Sequence, residues 1–207
     1  MLHELDESVR RLLVHEGRLD AAEVEVSFDL PNRDWSKGIS KPTLNCYLFD
    51  LRENRELRQG GAALVRPNAP PNAPPGAPGL PNLPNPLRRR PPMFVSVTYL
   101  VTAWTRAVED EHRLLFHALA TLMRFAVIPP AHLRGALAEH ALPVHAHVAQ
   151  PDGVLKSPGE FWTALENHLK PSLGYVVTLA LDHDRLPAGP PVLERDVRYR
   201  PPTARTA

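Results

Sequence analysis

The chain has 207 residues, 43% of them hydrophobic and 23% charged, which is enough to bury one sizeable core and shows no second globular unit. Lys and Arg number 24 against 23 Asp and Glu, a formal net charge of +1 that gives no overall attraction to nucleic acid or to an anionic membrane. The single Cys46 excludes an internal disulfide and a multi-cysteine metal site, fits a reducing compartment, and reads as a small buried hydrophobe in an apolar strand.

The N-terminus MLHELDESVRR is acidic and amphipathic, without the basic-then-apolar order of a signal peptide, and no apolar run approaches bilayer length. The expectation is a protein made and folded in the cytoplasm. Leu2, Leu5, Val9, Leu12 and Leu13 recur at helical spacing, which predicts an amphipathic helix over 2–16 ending near Gly17. Val24, Val26 and Phe28 alternate with Glu23, Glu25 and Ser27, giving a half-buried strand that closes at LPNRDW.

Residues 43–51 and 93–104 are apolar on both faces, as expected of central strands covered on both sides or used partly for subunit contact. Between them RPNAPPNAPPGAPGLPNLPNPLRRRPP holds 11 of the chain's 24 prolines. Proline fixes φ and removes an amide donor, so this stretch predicts an exposed, loosely ordered excursion of polyproline-II-like geometry. Val108, Leu115, Leu119, Leu122 and Ala126 mark a helix that Pro129-Pro130 must stop, and a shorter helix is expected around 131–138.

Val144, Ala146 and Val148 alternate with His145 and His147 as in an edge strand. Ser157-Pro158-Gly159-Glu160 has the order of a capping box, opening a helix with Phe161, Trp162, Leu165 and Leu169 inward. Leu173, Tyr175, Val177, Leu179 and Leu181 alternate along a last strand. The order α-β-β-β-α-β-α-β predicts an α+β fold with a mixed or mainly antiparallel sheet and packed helices. It is read as a single domain over 1–200, with a Pro-rich insertion at 66–92 and a tail at 201–207.

Candidate chemistry is sparse. His140, His145 and His147, with Glu139 nearby, are the best metal candidates, but histidines on the wet side of an edge strand need no ligand. Asp182-His183-Asp184 could serve acid/base or divalent-ion chemistry, yet it falls where a strand turns into a Pro/Gly loop. No nucleophile elbow, P-loop, dinucleotide fingerprint, HExxH or paired CxxC occurs. Arg88-Arg89-Arg90 reads as a solubilising run or a contact for phosphates or an acidic partner, and APPNAPPGAP as a spacer or a polyproline ligand.

DLRENRELR, residues 50–58, places alternating acid and base directly after an apolar strand. Asp50, Arg52, Glu53, Arg55 and Arg58 form either a solvated, self-compensating rim or a contact with another subunit or a tube, where guanidinium groups meet carboxylates bidentately.

A resemblance joins these pieces. Pro42-Thr43-Leu44-Asn45-x-Tyr47-Leu48-Phe49-Asp50-x-Arg52-Glu53-Asn54 is followed, after the proline-rich insertion, by Tyr99-Leu100-Val101-Thr102-Ala103-Trp104. With LDESVRRLL at the N-terminus, His112-x-Leu114-Leu115, and Phe161-Trp162-x-Ala164-Leu165 before Pro171-Ser172-Leu173, the order spans most of residues 1–183. It resembles the N-terminal domain of cap, or tail-tube terminator, proteins of extracellular contractile injection systems of the antifeeding-prophage and Photorhabdus-virulence-cassette type.

The resemblance implies a phage tail-terminator-like fold and a structural protein without catalytic residues or cofactor. It implies a ring of six copies that sits on the last ring of the inner tube, stops its growth and ties the contractile sheath to it. The partners are then the chain itself, the tube protein and the sheath protein, with no nucleic acid and no membrane. This chain ends soon after its last strand, so tube capping is the first expectation and sheath attachment the second. Two other readings stay open: a small metal-dependent hydrolase using the histidines or Asp182–Asp184, and a monomeric adaptor that recruits a partner through its polyproline loop.

Overall fold

The computed structural model describes residues 1–58, 63–65, 87–89, 91–140, 142–150 and 153–181. Met1–Arg58 and Met93–Leu181 make one unit, and Gln59–Pro92 with Asp182–Ala207 a second. In the first unit the elements run α1 (Leu2–Glu16), β1 (Glu25–Ser27), α2 (Arg33–Lys37) and β2 (Thr43–Glu53). In the second, β3 (Ala63–Val65) pairs antiparallel with β4 (Leu87–Arg89), so Arg88 and Arg89 belong to a short ladder; most of the proline-rich stretch lies outside the described residues. The first unit resumes with β5 (Met93–Trp104), α3 (Val108–Met123), β6 (His145–Val148), α4 (Pro158–Ala164) and β7 (Leu173–Leu181).

The sheet has the order β1-β2-β5-β7-β6, with β1 parallel to β2 and every other pair antiparallel. It is a mixed sheet with helices on both faces, the α+β class expected. On one face α1 supplies Leu5, Val9, Leu12 and Leu13, and α3 supplies Leu115, Ala118 and Leu122. They pack on Leu44 and Cys46 of β2, Val97, Tyr99 and Val101 of β5, Val177 and Leu179 of β7, and Ala146 and Val148 of β6.

The opposite face is aromatic. Leu100 and Trp104 of β5 meet Trp162 and Leu165, with Trp35, Phe49 and Phe161 alongside. Trp104 stands edge-on to Trp35 at 5.4 Å between centroids and lies 6.2 Å from Trp162. Long strands apolar on both sides are thus explained by two covering layers.

Two glycines permit close approaches. A Cβ on Gly17 would stand 2.3 Å from the Leu13 carbonyl oxygen, so the turn leaving α1 needs a residue without one. A Cβ on Gly174 would stand 2.4 Å from Val154 Cγ1, the side chain that covers β7 there.

Several local expectations are corrected. Residues 131–138 form two 3-10 turns, Pro130–His132 and Gly135–Leu137, instead of one α-helix. Helix α3 ends at Met123 with Val108 exposed, so Val108 and Ala126 do not extend its inner face. Ser157 caps α4 by position but makes no side-chain capping bond, and Leu169 lies beyond the helix and exposed. Ser27, read as facing water, is buried and donates its hydroxyl to Asp29 Oδ2 at 2.8 Å.

The margins of the sheet are covered in part: β1 pairs only with Thr43–Asn45, and the rest of β2 has no strand partner on that side among the described residues. On the β6 side Val127 bridges His145, and the Ala146 N–H reaches the Ala126 carbonyl at 2.9 Å. On the β1 side the strand is three residues long, and the Arg10 guanidinium donates to the Val26 carbonyl.

Candidate functional site

The charged segment at the end of β2 is shaped by a bulge. Register slips between Leu48 and Asp50, so Phe49 is an extra residue opposite a continuous β5. Paired residues share a face, and Asp50 and Arg52 stand opposite Thr98 and Ser96, on the aromatic side of the sheet. Leu51 and Glu53 stand opposite Val97 and Val95, on the aliphatic side. The candidate residues therefore divide between two faces and do not form one patch.

Each half is internally paired. Arg52 Nε lies 2.6 Å from Asp50 Oδ2. Arg58 grips Glu53 with two parallel bonds, Nε to Oε1 at 2.7 Å and an Nη to Oε2 at 2.9 Å. Both guanidiniums are solvent-exposed, so each pair is worth about 0–1 kcal/mol and can be exchanged for another at little cost. Arg55 is exposed in the turn that follows; its carbonyl accepts the Arg58 N–H at 3.2 Å, and no described hydrogen bond or ion pair engages its side chain.

The histidine set does not converge. His145 and His147 are exposed on β6 while Ala146 and Val148 point inward. His140 uses both ring nitrogens on backbone: Nε2 donates to the Ala180 carbonyl at 2.6 Å, and Nδ1 accepts from the Leu142 N–H at 3.2 Å. Among the described residues no group of three or more His, Cys, Asp and Glu could hold a metal ion. Asp182–Asp184 lie outside them.

Buried ionisable groups serve packing. Cys46 is fully buried, and desolvation pushes its thiol up to about 12, so it is no nucleophile near neutral pH. Burial also holds the Tyr99 phenol well above its ordinary value, helped by the hydrogen bond it donates to Asp6 Oδ1 at 2.6 Å. Tyr175 is raised in the same direction, chiefly by burial. Lys170 meets Glu111 at 2.5 Å and lies over the Trp104 ring at 4.5 Å, tying the segment before β7 to α3.

Two surface features went unread in the sequence. The outer side of α3 presents Phe116 and Met123, 70% and 68% exposed. Beside it a cleft of about 970 Å³ runs between the end of α1 and α3, lined by Glu16, Arg18, Asp20, Arg113, His117 and Arg124 among others. Helix α2 also escaped notice, although Asn32 signals it by accepting the Trp35 N–H at 2.8 Å. No helix among the described residues is long and apolar enough to cross a membrane.

The family described as the Pvc16 N-terminal domain matches residues 4–194. No curated protein matches the chain. Among solved structures, the tube-terminating cap of the anti-feeding prophage is similar at 18% identity and a TM-score of 0.62, over 96% of this chain and 62% of that one. A sheath/tube terminator of an extracellular contractile injection system, PVC, in its extended state is similar at 19% identity and a TM-score of 0.55, over 95% of this chain and 64% of that one. The chain thus spans less than two thirds of the length of either, and at these identities the likeness is one of fold.

Proposed function

The chain belongs to the Pvc16 N-terminal domain family, and from that membership we propose that it caps the inner tube of a contractile injection system and ends tube growth. The observation that carries this reading is fold likeness over nearly the whole chain to a sheath/tube terminator and a tube-terminating cap. In this reading the protein works by occupying a surface that another tube ring would use, without turnover, metal or nucleotide. Its partners are further copies of itself in a ring of six, the tube protein and the sheath protein, assembled in the cytoplasm into a phage tail-like particle. A head-to-tail ring joins two different surfaces of one chain and closes by rotation. The charged end of β2 contributes to such surfaces in this proposal, with Asp50 and Arg52 on one face of the sheet, Glu53 and its partner Arg58 on the other, and Arg55 in the turn.

Deleting the gene tests the reading. Tubes should become overlong or uncapped, sheaths should lose their attachment, and complementation should restore uniform particles. Normal length and contraction in the deletion strain would overturn the assignment. Six copies of 23.0 kDa give a ring of about 138 kDa, which light scattering separates from monomer or dimer.

A further inference from the structure

A second, smaller cleft of about 270 Å³ opens between β1 and α2, lined by Glu25, Ser27, Asp34, Trp35, Ser40 and Thr43 among others. Small-molecule pockets run from about 300 to 1,000 Å³, so this one has the size of a single long side chain.

Most of its polar groups are acceptors. Ser27 donates its hydroxyl to Asp29 Oδ2 and accepts the Asp29 N–H at 3.2 Å, and Thr43 donates its own to the Lys41 carbonyl at 2.9 Å, so both protons are engaged and each oxygen keeps some acceptor capacity. Glu25 and Asp34 add two carboxylates. The Trp35 ring is fixed by its edge contact with Trp104 and by its Nε1–H, which donates to Asp29 Oδ2 at 3.2 Å. Lys37 stands 3.6 Å from Asp34 with both side chains largely in solvent, a pair that an incoming cation displaces readily. Acceptors beside a fixed indole suit a planar guanidinium, which stacks on the ring and donates to the carboxylates.

We propose that this cleft receives Arg55 from a second copy of the chain, as one contact of the ring. The inference rests on the ring reading above. Arg52 and Arg58 would each have to leave a carboxylate, Asp50 or Glu53, whereas the Arg55 side chain gives up no hydrogen bond or ion pair on entering the cleft. It cannot reach its own cleft. Thr43 lines the cleft at the start of β2, Arg55 lies past the strand's end, and 11 extended residues span roughly 33 Å at about 3.3 Å each. Donor and acceptor therefore sit on different surfaces of one chain, as a head-to-tail contact requires.

The test is a charge exchange in the full-length chain, read by sedimentation velocity with and without purified tube, with circular dichroism confirming the fold. Arg55→Glu and Asp34→Arg should each weaken association at least tenfold, and the double variant should recover most of it. Arg55→Lys should lose less than Arg55→Glu, because charge survives while the stacked plane does not. A wild-type ring indifferent to both single variants overturns the cleft's role and leaves the ring standing. Weakened single variants without recovery in the double show that Arg55 and Asp34 do not meet, which also overturns it. A wild-type chain that stays monomeric even on tube removes the ring, and the proposed occupant with it.

Discussion

The two faces of the sheet are built from different materials by the same strands. One is a broad aliphatic layer under α1 and α3; the other is an aromatic layer under α2 and α4 that contains Trp35, Trp104 and Trp162. Aliphatic side chains spread over the sheet by interdigitating, whereas a few large rings cover a smaller area with specific edge and tilted contacts. The aromatic layer sits at the Trp104 end of β5, and the charged segment lies along the other end of β2, beyond the bulge at Phe49. Packing and candidate contact are thus separated along one strand.

The largest expected effect tests whether both layers hold the fold. Trp162→Ala should cost about 3–5 kcal/mol and Leu12→Ala about 2–5 kcal/mol by denaturant unfolding, since both side chains are almost fully buried. A loss under about 1 kcal/mol at Trp162 would reduce the aromatic layer to decoration. Lys170→Met comes next, at about 3 kcal/mol, because it leaves the Glu111 carboxylate, 11% exposed, without its cation. A double variant with Glu111→Leu should regain most of that stability if desolvated charge is the cause.

Alkaline pH probes the aliphatic side alone. The Cys46 thiol rises from 9.0 to about 12 on folding, so the folded state keeps its proton where the unfolded state has lost it. Its stabilising contribution is complete below about 9 and falls by about 1.4 kcal/mol per pH unit from there toward 12. Burial of Tyr99 and Tyr175 acts with the same sign. Urea midpoints measured from pH 8 to 11 should fall, and Cys46→Ala should flatten part of the slope. The smallest effect belongs to the charged end: Arg58→Ala should change stability by less than about 1 kcal/mol, since its bidentate partner Glu53 returns to water.

Strong periodicity made α1, β2, β5, α3, β6 and β7 legible, because a long amphipathic or alternating run has few other ways to hide its apolar side. Helix α2 was hidden by its length: five residues carry no period, and the Asn32 cap was its one signal. The bulge at Phe49 leaves no mark in composition, yet it decides that Asp50 and Arg52 part from Glu53. Reading DLRENRELR as a single rim therefore located the candidate residues and missed their division. The acceptor-lined cleft was unreadable for a related reason, since it joins residues 25–27, 34–40 and 43 through the parallel pairing of β1 with β2.

A part proposed to end a polymer must not become one. Exposed strand edges are the commonest route by which sheet proteins add to one another without limit. Here the Val127 bridge occupies part of one margin; on the other, β1 covers only the start of β2, and the bulge at Phe49 interrupts the uncovered stretch beyond it. In the proposed cap, such interruptions would let free subunits accumulate without zipping into ribbons.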